Sequence, residues 1–176
     1  MKRIISVRDA MTVKVLTAGE NTTVARAAKM MADRGVGSLV VLRNKKPVGI
    51  LTERDLLMKV LGPNIMPAKI KIGKIMSSPL VTISPDADIT EAAKIMAKNR
   101  IRRLPVVDRG NLVGIISASD ITAMSPELIE VVAHREEQDK ESVEESVCEN
   151  CGEVTTSLYE VNGMWVCEDC RDSMSG

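Results

Sequence analysis

Apolar positions along the first 125 residues follow two rhythms that alternate. Val24, Ala27, Ala28 and Met31 recur at helical spacing, as do Ile89, Ala92, Ala93 and Met96. Around these helices lie short apolar runs bounded by turn residues, which read as strands. Val15-Leu16-Thr17 and Leu80-Val81-Thr82-Ile83 come first, ended by Gly19 and by Pro85. Ser38 to Leu42 and Arg103 to Val107 are second strands, and Val48 to Leu51 and Leu112 to Ile116 are third strands. The turns Arg43-Asn44-Lys45-Lys46-Pro47 and Asp108-Arg109-Gly110-Asn111 join second to third. Thr22, and Asp86 or Asp88, are candidate N-caps for the first helices, and Gly35 can end one of them. A last helix starts at Thr52 and at Ser117.

The two halves superimpose without gaps at an offset of 65 residues. Residues 7–55 set against 72–120 give 49 pairs, of which 13 are identical, including Met11/Met76, Leu39/Leu104, Gly49/Gly114 and Asp55/Asp120. Chance yields only a few identities at a fixed offset, so the chain carries an internal repeat. Each copy reads strand, helix, strand, strand, helix. Two such units are expected to pack about a pseudo-two-fold axis and share one core. Repeat 1 spans residues 1–68 and repeat 2 spans 69–125.

Composition then narrows the chemistry. The 176 residues are 44% apolar and 27% charged, as in a globular protein. No apolar run reaches the ~18 residues of a membrane helix. The N-terminal stretch meets Arg8 and Asp9 too early for a signal peptide, so a cytoplasmic location and no membrane contact are expected. There is no Phe, and Tyr159 and Trp165 are the only Tyr and Trp. Any ligand ring held by residues 1–125 must therefore lie against aliphatic side chains. The net charge of zero hides a division. Residues 1–125 hold 21 Lys/Arg against 10 Asp/Glu (+11), and residues 126–176 hold 3 against 14 (−11). A basic body with an acidic tail fits an anionic ligand for the body.

Both third strands end in Gly-x-x-[Ser/Thr]-x-x-Asp: Gly49 to Thr52 to Asp55, and Gly114 to Ser117 to Asp120. Ser/Thr with an acid three residues on is a helix capping box. The same groups also suit a ligand. A helix N-terminus with a hydroxyl attracts phosphate, the acid accepts from a sugar diol, and the glycine permits close backbone approach.

With the pattern Glu91-Ala92-Ala93-x-x-Met96 and the strand Arg103-Leu104-Pro105-Val106-Val107, this arrangement resembles a tandem pair of cystathionine-β-synthase (CBS) domains, a Bateman module. The resemblance covers about residues 4–124. It implies an α+β fold of two βαββα repeats and a regulatory module that binds adenosine-containing ligands, AMP, ADP or ATP, in two clefts. In one, Ser117, Asp120, Arg102 and Arg103 would meet Lys14, Val36 and Gly37. In the other, Thr52, Arg54 and Asp55 would meet Pro79 and Ile101. Arg102 and Arg103 stand where the family often places phosphate-binding residues, whereas repeat 1 has Gly37 and Ser38. The Arg103/Asp120 cleft is therefore the expected anion site. Neighbours on a strand point to opposite faces, so only one of the two arginines faces a given phosphate.

Residues 126–146 form an acidic linker that opens with the helix start Ser125-Pro126-Glu127 and holds His134, the single histidine, read as a surface residue. In the final segment, 147–176, Cys148-x-x-Cys151 and Cys167-x-x-Cys170 stand 15 residues apart, within the structural-zinc range. Asn162-Gly163 between them marks a hairpin. The segment resembles a zinc ribbon, with zinc held by Cys148, Cys151, Cys167 and Cys170; iron, as in rubredoxin, is the alternative metal. Tyr159 and Trp165 are expected in the ribbon's core. Two disulfides would suit an oxidising compartment instead.

The leading reading is a non-enzymatic sensor in which the repeats bind an adenine nucleotide and the ribbon serves interaction with an unidentified protein partner. No nucleophile–base pair favours an enzyme. A nucleic-acid-associated regulator and a rubredoxin-like redox protein are the alternatives, although the ribbon's acidity opposes direct contact with phosphate backbones. A homodimer through the helical faces is expected.

Overall fold

The computed structural model describes residues 5–124 and 146–174. The chain divides into two compact units, residues 1–133 and 134–176. In the first unit, a short helix α1 (Val7–Ala10) precedes β1 (Thr17–Gly19), α2 (Val24–Arg34), β2 (Ser38–Arg43), β3 (Lys46–Thr52) and α3 (Glu53–Leu56). A π-helical turn, Leu57–Leu61, and a 3₁₀ turn, Ile72–Lys74, lead into the second copy. That copy comprises α4 (Ile89–Asn99), β4 (Arg103–Asp108), β5 (Asn111–Ser117) and α5 (Ala118–Met124). The acidic linker's expected helix lies outside the described residues.

Thr23 and Asp88, equivalent positions, cap α2 and α4. The expected cap Thr22 is one residue early, because its own N–H closes a turn onto Gly19. Gly35 ends α2 in the left-handed conformation at φ 60°, as a helix terminus favours. The hairpins β2–β3 and β4–β5 turn through Asn44-Lys45 and Arg109-Gly110, all with positive φ.

The first strands differ between the copies. In repeat 1, β1 pairs in parallel with β2, Thr17 opposite Val40 through Gly19 opposite Leu42. In repeat 2 the pairing shrinks to one bridge, Ile83 with Val106. Proline explains the loss. In repeat 1 the N–H groups of Val40 and Glu20 donate to Leu16 and Leu42. The equivalent residues are Pro105 and Pro85, which have no N–H to donate.

The two repeats complete each other. One shared core was expected, but there are two. Ile72 and Ile75 are buried with Val24, Ala27, Met31, Leu39 and Leu51 in the core of repeat 1. Val7 is buried with Ile89, Ala92, Met96, Leu104 and Ile116 in the core of repeat 2. The leading segment of each repeat thus crosses to the other. Backbone bonds follow the same symmetry: Thr12 exchanges bonds with Ile115 at 2.9 and 3.0 Å, and Ser77 with Ile50 at 2.8 and 3.2 Å. Burying Val7 and Ile72 contributes about 1.5–3 kcal/mol each, so neither core is complete without the other repeat.

The second unit is built from two hairpins, β6 (Ser146–Val147) with β7 (Val154–Thr155) and β8 (Tyr159–Val161) with β9 (Met164–Val166), followed by α6 (Glu168–Met174). Asn162 and Gly163 both take positive φ, as their turn requires. Its core is Val166 with Cys148, Cys167 and Cys170. Trp165 is not part of it. Strand alternation that turns Val166 inward turns Trp165 outward, half exposed, while Tyr159 is half-buried with the Arg171 guanidinium 4.2 Å above its ring. Among the described residues, no helix is long and apolar enough to cross a membrane.

Candidate functional site

At the end of β3, the Thr52 amide and hydroxyl donate to Asp55 Oδ2 at 2.9 and 2.7 Å, and the Asp55 amide donates to Thr52 Oγ1 at 3.3 Å. At the end of β5, Ser117 and Asp120 repeat this at 2.8, 2.6 and 3.2 Å. The capping box is therefore real in both copies. It uses only one carboxylate oxygen, so capping and ligand binding are not rival roles for these acids.

The second oxygen separates the copies. Asp55 Oδ1 accepts from Lys59 Nζ at 2.7 Å and from Ser77 Oγ at 3.0 Å, and the Asp55 side chain is only 6% exposed. Burial, the largest influence, opposes its ionisation, but the hydrogen bonds from Lys59, Thr52 and Ser77 together hold its pKa below the ordinary carboxylate value. Asp120 Oδ1 takes no hydrogen bond from a described side chain, and Asp120 is half-buried.

The glycines of the two motifs have a different use from the one expected. A Cβ on Gly49 would lie 2.5 Å from Met76 Sδ, and one on Gly114 would lie 2.5 Å from Met11 Sδ. These glycines admit the methionine of the crossing segment rather than a ligand. Gly37 is the glycine at a polar site: a Cβ there would lie 2.6 Å from an Arg103 Nη and 2.5 Å from Glu53 Oε2. Arg103 sits opposite Ser117 in the β4–β5 register and extends its guanidinium across to repeat 1.

The structure thus joins Arg103 with Gly37, and Asp55 with the segment that leads to Pro79. Arg103 is half-buried and Arg102 exposed, as strand alternation requires. Lys14, Val36, Arg54 and Pro79 are exposed. Ile101 is half-buried against the core of repeat 2. Sequence reasoning missed Lys59, Ser77 and Glu53. The signal for Lys59 was its place four residues after Asp55 on a helix, where the second copy has Met124.

The four cysteines of the second unit are free, and their Sγ atoms all lie within 4.8 Å of one another. Cys151 Sγ and Cys167 Sγ are 3.8 Å apart, which is the S···S edge of about 3.8 Å that a tetrahedron with ~2.3 Å metal–sulfur bonds requires. The Cys167 N–H and Asn150 Nδ2 donate to Cys148 and Cys170 sulfurs at 3.2 and 3.3 Å. Backbone N–H donation, first from Cys151 and also from Cys167 and Asn150, outweighs burial and lowers the Cys148 thiol to about 6. At Cys151 the Glu153 N–H favours the thiolate, but the Cys148 sulfur, burial and the other two cysteines push it up to about 12. Thiols this close share protons unless a cation neutralises them. The donor set fits a metal ion.

The sequence pattern of the CBS domain matches residues 7–62 and again residues 72–127. The chain belongs to the CBS domain family. An uncharacterized protein of Methanopyrus kandleri is 35% identical over 188 residues, spanning 99% of this chain and 94% of its own. Among solved structures, a hexameric CBS-CP12 protein from bloom-forming cyanobacteria has a TM-score of 0.67 and 30% identity, over 82% of this chain and 90% of its own. A CBS domain pair in complex with 5′-methylthioadenosine and S-adenosyl-L-methionine has a TM-score of 0.65 and 30% identity, over 71% and 98%. The CBS repeats here thus carry the family fold, with a four-cysteine unit after it.

Proposed function

We propose that the protein is a regulatory sensor of an adenosine-containing ligand, a nucleotide such as AMP, ADP or ATP, rather than an enzyme. The observation that carries this reading is the half-open carboxylate of Asp120. One oxygen caps α5, and the other, which takes no hydrogen bond among the described residues, can accept from a ribose diol. The Arg103 guanidinium, on the strand position opposite Ser117, supplies the donors a 5′-phosphate needs. The related pair that holds 5′-methylthioadenosine and S-adenosyl-L-methionine supports the ligand class. Lys14, Val36, Gly37, Arg102 and Arg103 are assigned to this cleft.

Zinc is the metal assigned to Cys148, Cys151, Cys167 and Cys170. Four thiolates fill a tetrahedral site and leave no open position for catalysis, so its role is structural. The ribbon then presents an acidic surface to a protein partner. Self-association belongs to the same reading, since Leu57, Met58 and Leu61 stand 59, 62 and 63% exposed on one short turn, and a homodimer buries them.

Calorimetric titration of the metal-replete chain with AMP, ADP, ATP, NAD and S-adenosylmethionine tests the reading. Saturable binding of one of them, lost in Asp120→Ala, is expected. Absence of binding to all of them overturns it.

A further inference from the structure

The repeats place the same acid at the same helix start, yet surround it differently. A carboxylate has about four acceptor sites. Asp55 fills four with donors from its own chain: the Thr52 amide, the Thr52 hydroxyl, Lys59 Nζ and Ser77 Oγ. Lys59 Nζ also donates to the Ile75 carbonyl at 2.8 Å, so two of its three protons are engaged. Among the described residues, Asp120 fills two, both from Ser117.

The difference lies in two pairs of equivalent positions. Met124 replaces Lys59 and has no donor, and Thr12 replaces Ser77 but gives no hydrogen bond to Asp120. The Asp55 side chain is 6% exposed, so a sugar diol must first displace both an ammonium and a hydroxyl from a buried anion. A diol offers no charge to replace the ammonium. Lys59 sits on the π-helical turn, a local widening, whereas Met124 lies on the α-helix α5.

We propose that Lys59, with Ser77, fills the cleft of repeat 1 from within, so that each chain takes a single adenosine ligand, at Asp120, and Lys59 sets that number. This rests on the adenosine reading above. The internal ammonium does for Asp55 what a ligand's hydroxyls would do for Asp120. The two sites of the fold are therefore divided between a structural ion pair at Asp55 and a ligand-responsive carboxylate at Asp120.

Equilibrium dialysis of the full chain with radiolabelled AMP and 5′-methylthioadenosine tests the count. The wild type is expected to saturate at one ligand per chain, Asp120→Asn at none, and Lys59→Met, which copies Met124, at two. Two ligands per wild-type chain, one remaining in Asp120→Asn, or one in a Lys59→Met chain with native circular dichroism would each overturn the proposal. The wild-type and Asp120→Asn counts decide it even if Lys59→Met fails to fold. Failure of both probes to bind the wild type removes the adenosine reading itself, and this proposal with it.

Discussion

The guanidinium of Arg103 lies where a side chain on Gly37 would stand, with a Cβ-to-Nη distance of only 2.6 Å. One residue of repeat 2 thus reaches the backbone of repeat 1, and the absence of a side chain at Gly37 is what admits it. The displaced atoms are the ends of flexible side chains, so a substitution there should cost little stability. Gly37→Val is expected to weaken AMP binding about ten- to a hundredfold, the worth of one charge-assisted hydrogen bond. The midpoint of urea unfolding should stay nearly unchanged. Adenosine, which has no phosphate, should lose less. Equal losses for AMP and adenosine would place Arg103 away from the phosphate.

Asp55 makes stability depend on pH. Its folded pKa is held below the ordinary value, so the folded state binds fewer protons than the unfolded state in the acid range. The contribution of Asp55 is therefore fully present above the ordinary carboxylate pKa of about 3.9 and is lost as pH falls through the lower folded value. Urea unfolding of wild type and Asp55→Asn should differ by a constant amount from pH 5 to 7, about 1–3 kcal/mol for the lost hydrogen bonds. That gap should close below pH 4. A gap that widens in acid would contradict the assignment.

Exchange of leading segments between repeats makes a further prediction. Ile72 precedes repeat 2 in the chain but is buried in the core of repeat 1. Ile72→Ala should cost about 2–5 kcal/mol, and hydrogen exchange should rise first in α2 and β2 rather than in α4 and β4. Val7→Ala should show the reverse pattern.

Cys148, Cys167 and Cys170 supply most of the second unit's core, so metal removal should unfold it. Chelation is expected to shift the fluorescence of Trp165, the sole Trp, and to release one zinc per chain. AMP affinity should persist. Retention of the ribbon's amide dispersion after chelation would show that the metal is dispensable.

Much of this arrangement was legible in the sequence, and the reason is the repeat. The pairing of Met11 with Met76 and of Asp55 with Asp120 fixes equivalent positions before any coordinate is known, and the spacing of Cys148, Cys151, Cys167 and Cys170 marks a metal-sized cluster. What was not legible depends on contacts between residues distant in the chain. The glycines of the Gly-x-x-[Ser/Thr]-x-x-Asp motif look as though they face a ligand, but a methionine from the other repeat occupies that space. The shared core becomes two because Val7 and Ile72 cross over, which local periodicity cannot report. Trp165 faces outward because the smaller Val166 takes the inward position on its strand. Ser77 reaches Asp55 over 22 residues, and no local pattern shows it.

The most direct test of the central claim is calorimetric titration of AMP into the metal-replete chain and into Asp120→Ala. Binding to the wild type at one ligand per chain, abolished in the variant, is the predicted result. Undiminished binding in Asp120→Ala would contradict the account, because the open carboxylate oxygen would then have no part in holding the ligand.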